Sequence, residues 1–396
     1  MSPCPACGSA DAIEFYAVDR VATRETGSFR APEAARAGPY GRLRMRACRA
    51  CGFAWNDAFD PALVRFDETT EIAQTASPAY NRFVQDLARE LDRRCGGLAG
   101  RHLVELGCAQ GDFLRAVCPA LGARGTGFDP VLRRPGPAGP GIELRKALYG
   151  PDTAPDDIDL LVHLNTLEHE PAPLAHLRML RATLAVRPGA RLFVMLPDFA
   201  SILREHAFWT VHYEHCAYWT PGALARALRR AGFAVTDLWR AFSDQLVCAL
   251  ATVGPAPVTP LALEEPAATT AAAIDGFAAA AGRARDTWRR AFAGWRRSGR
   301  SVTLWGAAPR TIAFLQAVAE PEAVDRIVDV NPAKRGLFLP GTGYPIVHPD
   351  DLREAPPAVV VVMNPVYTEE IRAMLAERGL RPELLRVDRP PGLSPA

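Results

Sequence analysis

Between residues 101 and 253 the chain alternates short apolar runs with longer stretches whose apolar residues recur at helical spacing. Residues 103–106, 125–128, 159–164 and 191–196 are of strand length and largely apolar, the pattern of parallel strands buried on both faces. A further strand is placed near 142–144. Helices are read over 173–184 and 221–231, and strands near 234–239 and 246–253 complete a seven-stranded order. Such alternation predicts a doubly wound α/β sheet.

The flanks differ. A helix is predicted over 77–94, with Pro78 in its first turn and Phe83, Leu87 and Leu91 on one face. Residues 254–270 are rich in Pro and Ala and read as a linker. A helix over 271–297 carries Trp288 and Trp295. A second α/β unit follows, with strands at 302–305, 327–330 and 358–363. The first 65 or so residues are punctuated by cysteines, and their middle, 23–41, reads as a mobile loop. The division is therefore 1–74, 75–254 and 255–396.

With 396 residues, 48% hydrophobic, the chain can bury ordinary cores. A net charge of +2 gives no strong pull toward nucleic acid or membrane. No apolar run approaches the roughly 18 residues of a membrane span. The N-terminus lacks the charged and apolar regions of a signal peptide, so a cytoplasmic protein is expected. Its nine cysteines are then thiols or metal ligands sooner than disulfides. Four sit in two C-x-x-C-G knuckles, Cys4/Cys7 and Cys48/Cys51. Two intervening residues let both sulfurs reach one tetrahedral ion, and four thiolates favour a closed, structural Zn²⁺ site. Cys95, Cys108, Cys118, Cys216 and Cys248 lie in apolar or helical contexts and read as inert.

Strand, glycine turn and helix start meet at residues 102–112, with Glu105, Gly107 and Gly111 spaced E-x-G-x-x-x-G. Glycines serve where backbone takes positive φ or approaches a ligand closely. This turn resembles motif I of the class I S-adenosylmethionine (SAM) methyltransferases. Asp129, ending the next strand, is placed to accept hydrogen bonds from ribose hydroxyls. Asn165 and His169 follow the fourth strand, on the cofactor side of the sheet. Residues 210–220 pack His212, Tyr213, Glu214, His215 and Tyr218 into one loop, where a carboxylate beside an imidazole can orient it.

Taken together, the knuckles, motif I, N-x-x-x-H, E-H-x-x-Y and the segment Asp329 to Thr342 (D-x-N-P-x-K-x-G-x-x-x-P-G-T) resemble the zinc-containing sugar C-methyltransferases. That family methylates C3 of nucleotide-linked 4-keto-deoxysugars in antibiotic pathways. The resemblance implies a class I methyltransferase sheet flanked by an N-terminal zinc-binding module and a C-terminal Rossmann-like α/β domain. It implies SAM and structural Zn²⁺ as cofactors and a small-molecule substrate, with neither nucleic acid nor membrane as partner. It makes His215 the general base and Glu214 its partner. Glu105, Gly107, Gly111, Asp129 and Asn165 would hold the cofactor, and His169, Tyr213, Tyr218 and Arg310 the substrate. Three places depart from the family. The loop reads His212-Tyr213-Glu214-His215 where the family has Y-H-E-H. Thr70-Glu71-Ile72-Ala73 replaces a serine-rich run with a substrate-facing tyrosine. Arg310-Thr311 stands for the Lys-Gly of G-A-x-x-K-G. All three touch the substrate side, which keeps an O- or N-methyltransferase of another small metabolite as a rival. An RNA methyltransferase would need a basic, aromatic-laced stripe. Arg42, Arg44 and Arg46 alternate with Leu43 and Met45 but read as a solvated strand face. A SAM-sensing binding protein is the non-enzymatic alternative.

Overall fold

The structure is a computed structural model that describes residues 2–67, 70–71, 73–254, 259–318 and 323–391. Its middle is an eight-stranded sheet. Counted along the chain, strands one to seven are His102–Leu106, Arg124–Phe128, Ile142–Arg145, Leu160–Leu164, Arg191–Pro197, Phe233–Ala241 and Leu246–Val253. They lie in the order six–seven–five–four–one–two–three, and an extra edge strand, Gly136–Gly139, pairs with strand three. Strand seven runs antiparallel to five and six, while one to five are mutually parallel. This is the doubly wound class I methyltransferase sheet. All five residues of strand one are buried, as expected of a central strand covered on both faces.

Helix Pro78–Cys95 forms as its pattern predicts. Ser77 Oγ accepts from Tyr80 N, Pro78 opens the first turn and Gly96 closes the helix at φ 74°. Val84, Leu87, Ala88 and Leu91 are its buried stripe. The C-terminal domain is a five-stranded parallel sheet in the order Ile346–Val347, Arg326–Val328, Val302–Trp305, Val359–Val362, Glu383–Arg386. Its first turn repeats the geometry of the central domain. Ala307 N and Asn331 N donate to the two oxygens of Asp329, as Ala109 N and Val131 N do to Asp129. In the C-terminal copy Lys334 Nζ also lies 3.3 Å from that carboxylate.

The N-terminal sheet has the order Ala12–Ala22, Tyr40–Cys48, Ala54–Asn56, Ala217–Tyr218. Its last strand belongs to the histidine loop of the central domain, so the cysteine module and that loop share backbone hydrogen bonds. Several expectations change here. Residues 23–41 are not a free loop. Helix Pro32–Arg36 lies within them, Ala35 is 1% exposed, and Phe29 pairs with Phe338 while Gly341 N donates to Ala35 O. The reason is that Phe29 and Ala35 are apolar and find cover on the C-terminal domain. Arg46 is not on a solvated face either. It is 4% exposed, donates to the carbonyls of Ser2 and Ala12, and lies over the Trp55 ring. The helix read over 271–297 is two helices, Ala267–Ile274 and Phe277–Arg297, broken at Gly276 with φ 148°. Within the segment read as a linker, residues 255–258 lie outside the described residues, and its end is already helical. Ile72 also lies outside them.

Candidate active site

Strand one ends in a turn built from left-handed backbone. Gly107, Ala109 and Gly111 have φ of 65°, 49° and 81°. A Cβ on Gly111 would sit 2.7 Å from the Leu144 side chain, and one on Gly107 2.6 Å from Thr166 Oγ1. Both positions therefore need glycine for space as well as for conformation. Asp129 accepts Ala109 N at 2.8 Å and Val131 N at 2.8 Å, which ties the end of strand two to the turn. Burial pushes its pKa up, against those two backbone bonds. Glu105 is 3% exposed, and its Oε2 has no hydrogen-bond partner among the described residues. Burial, then the charges of Asp129 and Asp112, hold its pKa well above the ordinary carboxyl value. Tyr80, from the preceding helix, is close enough to feel Glu105 and Asp112, and burial together with those charges pushes its hydroxyl up to about 12. A turn of left-handed backbone, a strand-end carboxylate and an unsatisfied buried acid fit a cofactor bearing ribose hydroxyls and an amino group.

Thr166, packed on Gly107, leads into the second part of the site. Asn165 is exposed at φ 45°, a conformation Asn tolerates better than most residues. His169 Nδ1 lies 2.8 Å from Glu214 O. A carbonyl can only accept, so Nδ1 carries the proton and Nε2 the lone pair. The His169 and His215 rings meet edge to face at 4.8 Å, and Phe66 of the cysteine module covers His169 at 5.3 Å. His215 is half-buried, and its ring nitrogens have no hydrogen-bond partner among the described residues. Burial, then His212, His169 and Arg310, hold its pKa well below 6.5, so it is a neutral imidazole near neutral pH.

Glu214 does not hydrogen-bond to the His215 ring, contrary to the partnership read from the sequence. Its Oε1 accepts Glu25 N at 2.6 Å and Thr26 N at 3.0 Å, and Glu214 N donates to Glu25 Oε2 at 2.8 Å. Each glutamate thus accepts the other's backbone N–H. Glu25 Oε2 also meets His212 Nδ1 at 3.0 Å. Burial and the charge of Glu25 raise the Glu214 pKa to about 8. The tyrosines are also engaged. Tyr213 is fully buried, accepts Asp60 N at 2.8 Å and packs on Phe59. Tyr218 OH exchanges hydrogen bonds with the backbone of His212. Both hydroxyls hold the loop's shape. Arg310, at the start of helix Pro309–Val318, has no ion-pair or hydrogen-bond partner among the described residues, and burial lowers its pKa. It lines a cleft with Asp198, Glu205, Gln245 and Pro365, where the central and C-terminal domains meet.

Glu25 gives no local signal, because it acts on a loop 189 residues away. Glu168 stands beside a residue the sequence reading did select, yet only the structure shows it 2% exposed with both carboxyl oxygens unpartnered. At the other end of the cysteine module, Cys4, Cys7, Cys48 and Cys51 are free thiols gathered within 4.8 Å of one another. Cys4–Cys51 and Cys7–Cys48 Sγ atoms are 3.7 and 3.5 Å apart. Four converging soft donors fit a tetrahedral thiophilic ion.

Comparison with known proteins bears on this geometry. Residues 79–238 match the family described as methyltransferase domain, and residues 256–380 match the one described as C-methyltransferase C-terminal domain. The ubiquinone biosynthesis O-methyltransferase of Aeromonas salmonicida is 31% identical over 165 residues, 37% of this chain and 68% of that protein. Among solved structures, a SAM-dependent methyltransferase from Aquifex aeolicus is 14% identical with a TM-score of 0.35, over 47% of this chain and 98% of that one. The Burkholderia thailandensis 1,6-didemethyltoxoflavin-N1-methyltransferase is 17% identical with a TM-score of 0.34, over 44% and 79%. Two methyltransferase family matches in tandem, a curated relative and the strand order agree: the chain belongs to the SAM-dependent methyltransferases.

Proposed function

We propose that the protein methylates a carbon next to a ketone in a small molecule, a nucleotide-linked sugar being the substrate class the resemblance favours, with His215 as the proton acceptor. The observation that carries this reading is His215 itself, a neutral imidazole with free ring nitrogens packed edge to face on His169. Bound SAM supplies a methyl group on a positively charged sulfur, open to in-line attack. Gly107, Gly111, Asp129 and Glu105 bind and orient it, with Asn165 at the rim. A ketone acidifies the neighbouring C–H, and His215 takes that proton as the carbon turns nucleophilic. The remaining work is positional. Holding the carbon collinear with the transferred methyl and sulfur is worth several powers of ten in rate. His169 and Phe66 wall the site, and Arg310 offers a cation to an anionic substrate group. The four cysteines hold Zn²⁺ as a structural ion, which fixes the module that supplies Glu25, Thr26 and Phe66.

The curated relative's name favours one alternative, deprotonation of a hydroxyl by His215 in an O-methyl transfer. Calorimetric titration with S-adenosylhomocysteine, then with thymidine or uridine diphosphate, separates the two. Binding of both supports the nucleotide sugar, whereas S-adenosylhomocysteine alone moves the substrate elsewhere. His215→Gln should keep S-adenosylhomocysteine affinity and lose methyl transfer. Retained transfer removes His215 from the chemistry.

A further inference from the structure

We propose that Glu168, His169 and His215 form a second metal site, distinct from the four cysteines, for a divalent first-row transition ion. One donor atom from each of the three lies within 4.8 Å of the others. A tetrahedral ion with bonds of about 2.1 Å sets its ligands about 3.4 Å apart, so the side chains need to close by at most about 1.4 Å. Rotation about their side-chain torsions supplies that.

Three features favour an ion over an incidental cluster. Glu168 is 2% exposed and neither carboxyl oxygen has a partner among the described residues. A buried carboxylate left so is costly, and a cation is one of the few groups that satisfies it. His169 donates Nδ1–H to Glu214 O at 2.8 Å, the outer-shell bond that metal-binding histidines commonly make, and so leaves Nε2 bare as a ligand. His215 has no competing hydrogen bond, and unlike Glu168 it is partly exposed, which gives an ion a way in.

Two imidazoles and one carboxylate select Zn²⁺, Co²⁺, Fe²⁺ or Mn²⁺ over Mg²⁺ and Ca²⁺, and three protein ligands leave a position open. Occupancy would take the lone pair that His215 needs to accept a proton. The site therefore makes the enzyme inhibitable by free transition metal. Inhibition rests on His215 being the base, whereas binding does not.

Co²⁺ alone is the probe, added to the full chain after dialysis against a chelator. Metal per chain is counted and the visible spectrum followed for the native protein, Glu168→Gln and His215→Gln. The native chain should bind one more Co²⁺ than either variant, and that ion should show ligand-field bands without the thiolate charge-transfer band of the cysteine site. Each variant should weaken it at least about a hundredfold, since even outer-shell changes cost 10- to 100-fold. Carbethoxylation of His215, located by mass spectrometry, should slow when the ion is present. Equal metal content in all three proteins, or unchanged His215 reactivity in loaded native protein, overturns the site. Binding and protection without loss of methyl transfer leave the site standing and remove His215 as the base.

Discussion

Glu25→Ala tests whether the reciprocal clasp places the loop that carries His215. Glu25 is 3% exposed and its Oε2 serves two donors, Glu214 N–H at 2.8 Å and His212 Nδ1 at 3.0 Å. Truncation leaves both without an acceptor in a buried site, at about 1–3 kcal/mol each. Part of this returns, because Glu25 is a like charge beside Glu214 and helps raise that residue's pKa to about 8. A net local loss of about 2–4 kcal/mol remains, equivalent to roughly 30- to 700-fold faster amide exchange at tenfold per 1.4 kcal/mol. Hydrogen exchange on peptides spanning 210–220 reads that loss directly, which suits a chain with three separate sheets better than one global midpoint. Methyl transfer should fall with it, while S-adenosylhomocysteine affinity stays within a few-fold, since Glu25 is not part of the motif I turn. Glu25→Gln keeps one acceptor oxygen within reach of both donors and should recover most of the protection. Native-like exchange in Glu25→Ala would refute the clasp.

Other consequences are equally open to measurement. Gly111→Ala forces a Cβ to within 2.7 Å of Leu144 at φ 81°, so calorimetry should show S-adenosylhomocysteine affinity falling tenfold or more while the fold survives. Five histidines (102, 163, 169, 176 and 215) have pKa values pushed below 6.5, chiefly by burial. The unfolded chain then binds protons the native state refuses. The histidines' contribution to stability should be at its full value above about pH 6.5 and fall below it, by up to about 1.4 kcal/mol per pH unit for each. His163→Leu should make the dependence of the urea midpoint on pH shallower between pH 6.5 and 5.5, and an unchanged slope would exclude His163 from the effect. Trp288, fully buried against Phe314 with Nε1 3.3 Å from Val387 O, anchors the long helix to the C-terminal sheet. Its change to Ala should cost about 3–5 kcal/mol, read as early exchange confined to the C-terminal domain.

Strands one, two, four and five, the helix at Pro78 and the motif I turn were legible because their causes are local. A continuous apolar run, a helix cap and glycines at fixed offsets act within a few residues. The cysteine knuckles were legible for the same reason, since each pair is set by a two-residue spacing. What the sequence could not reveal acts across the chain. Residues 23–41 resemble a loop in composition, yet Phe29 and Ala35 are ordered by a surface about 300 residues further on. Glu214 looked like the orienting partner of its neighbour His215, but adjacent residues point different ways, and its carboxylate turns to Glu25 and Thr26. Sequence by itself thus determined the α/β class, the glycine turn after strand one and the cysteine set. Only the tertiary structure decided which acids touch the histidine loop, because a buried charge takes its partner from whatever the fold brings within hydrogen-bond reach, whatever the separation along the chain.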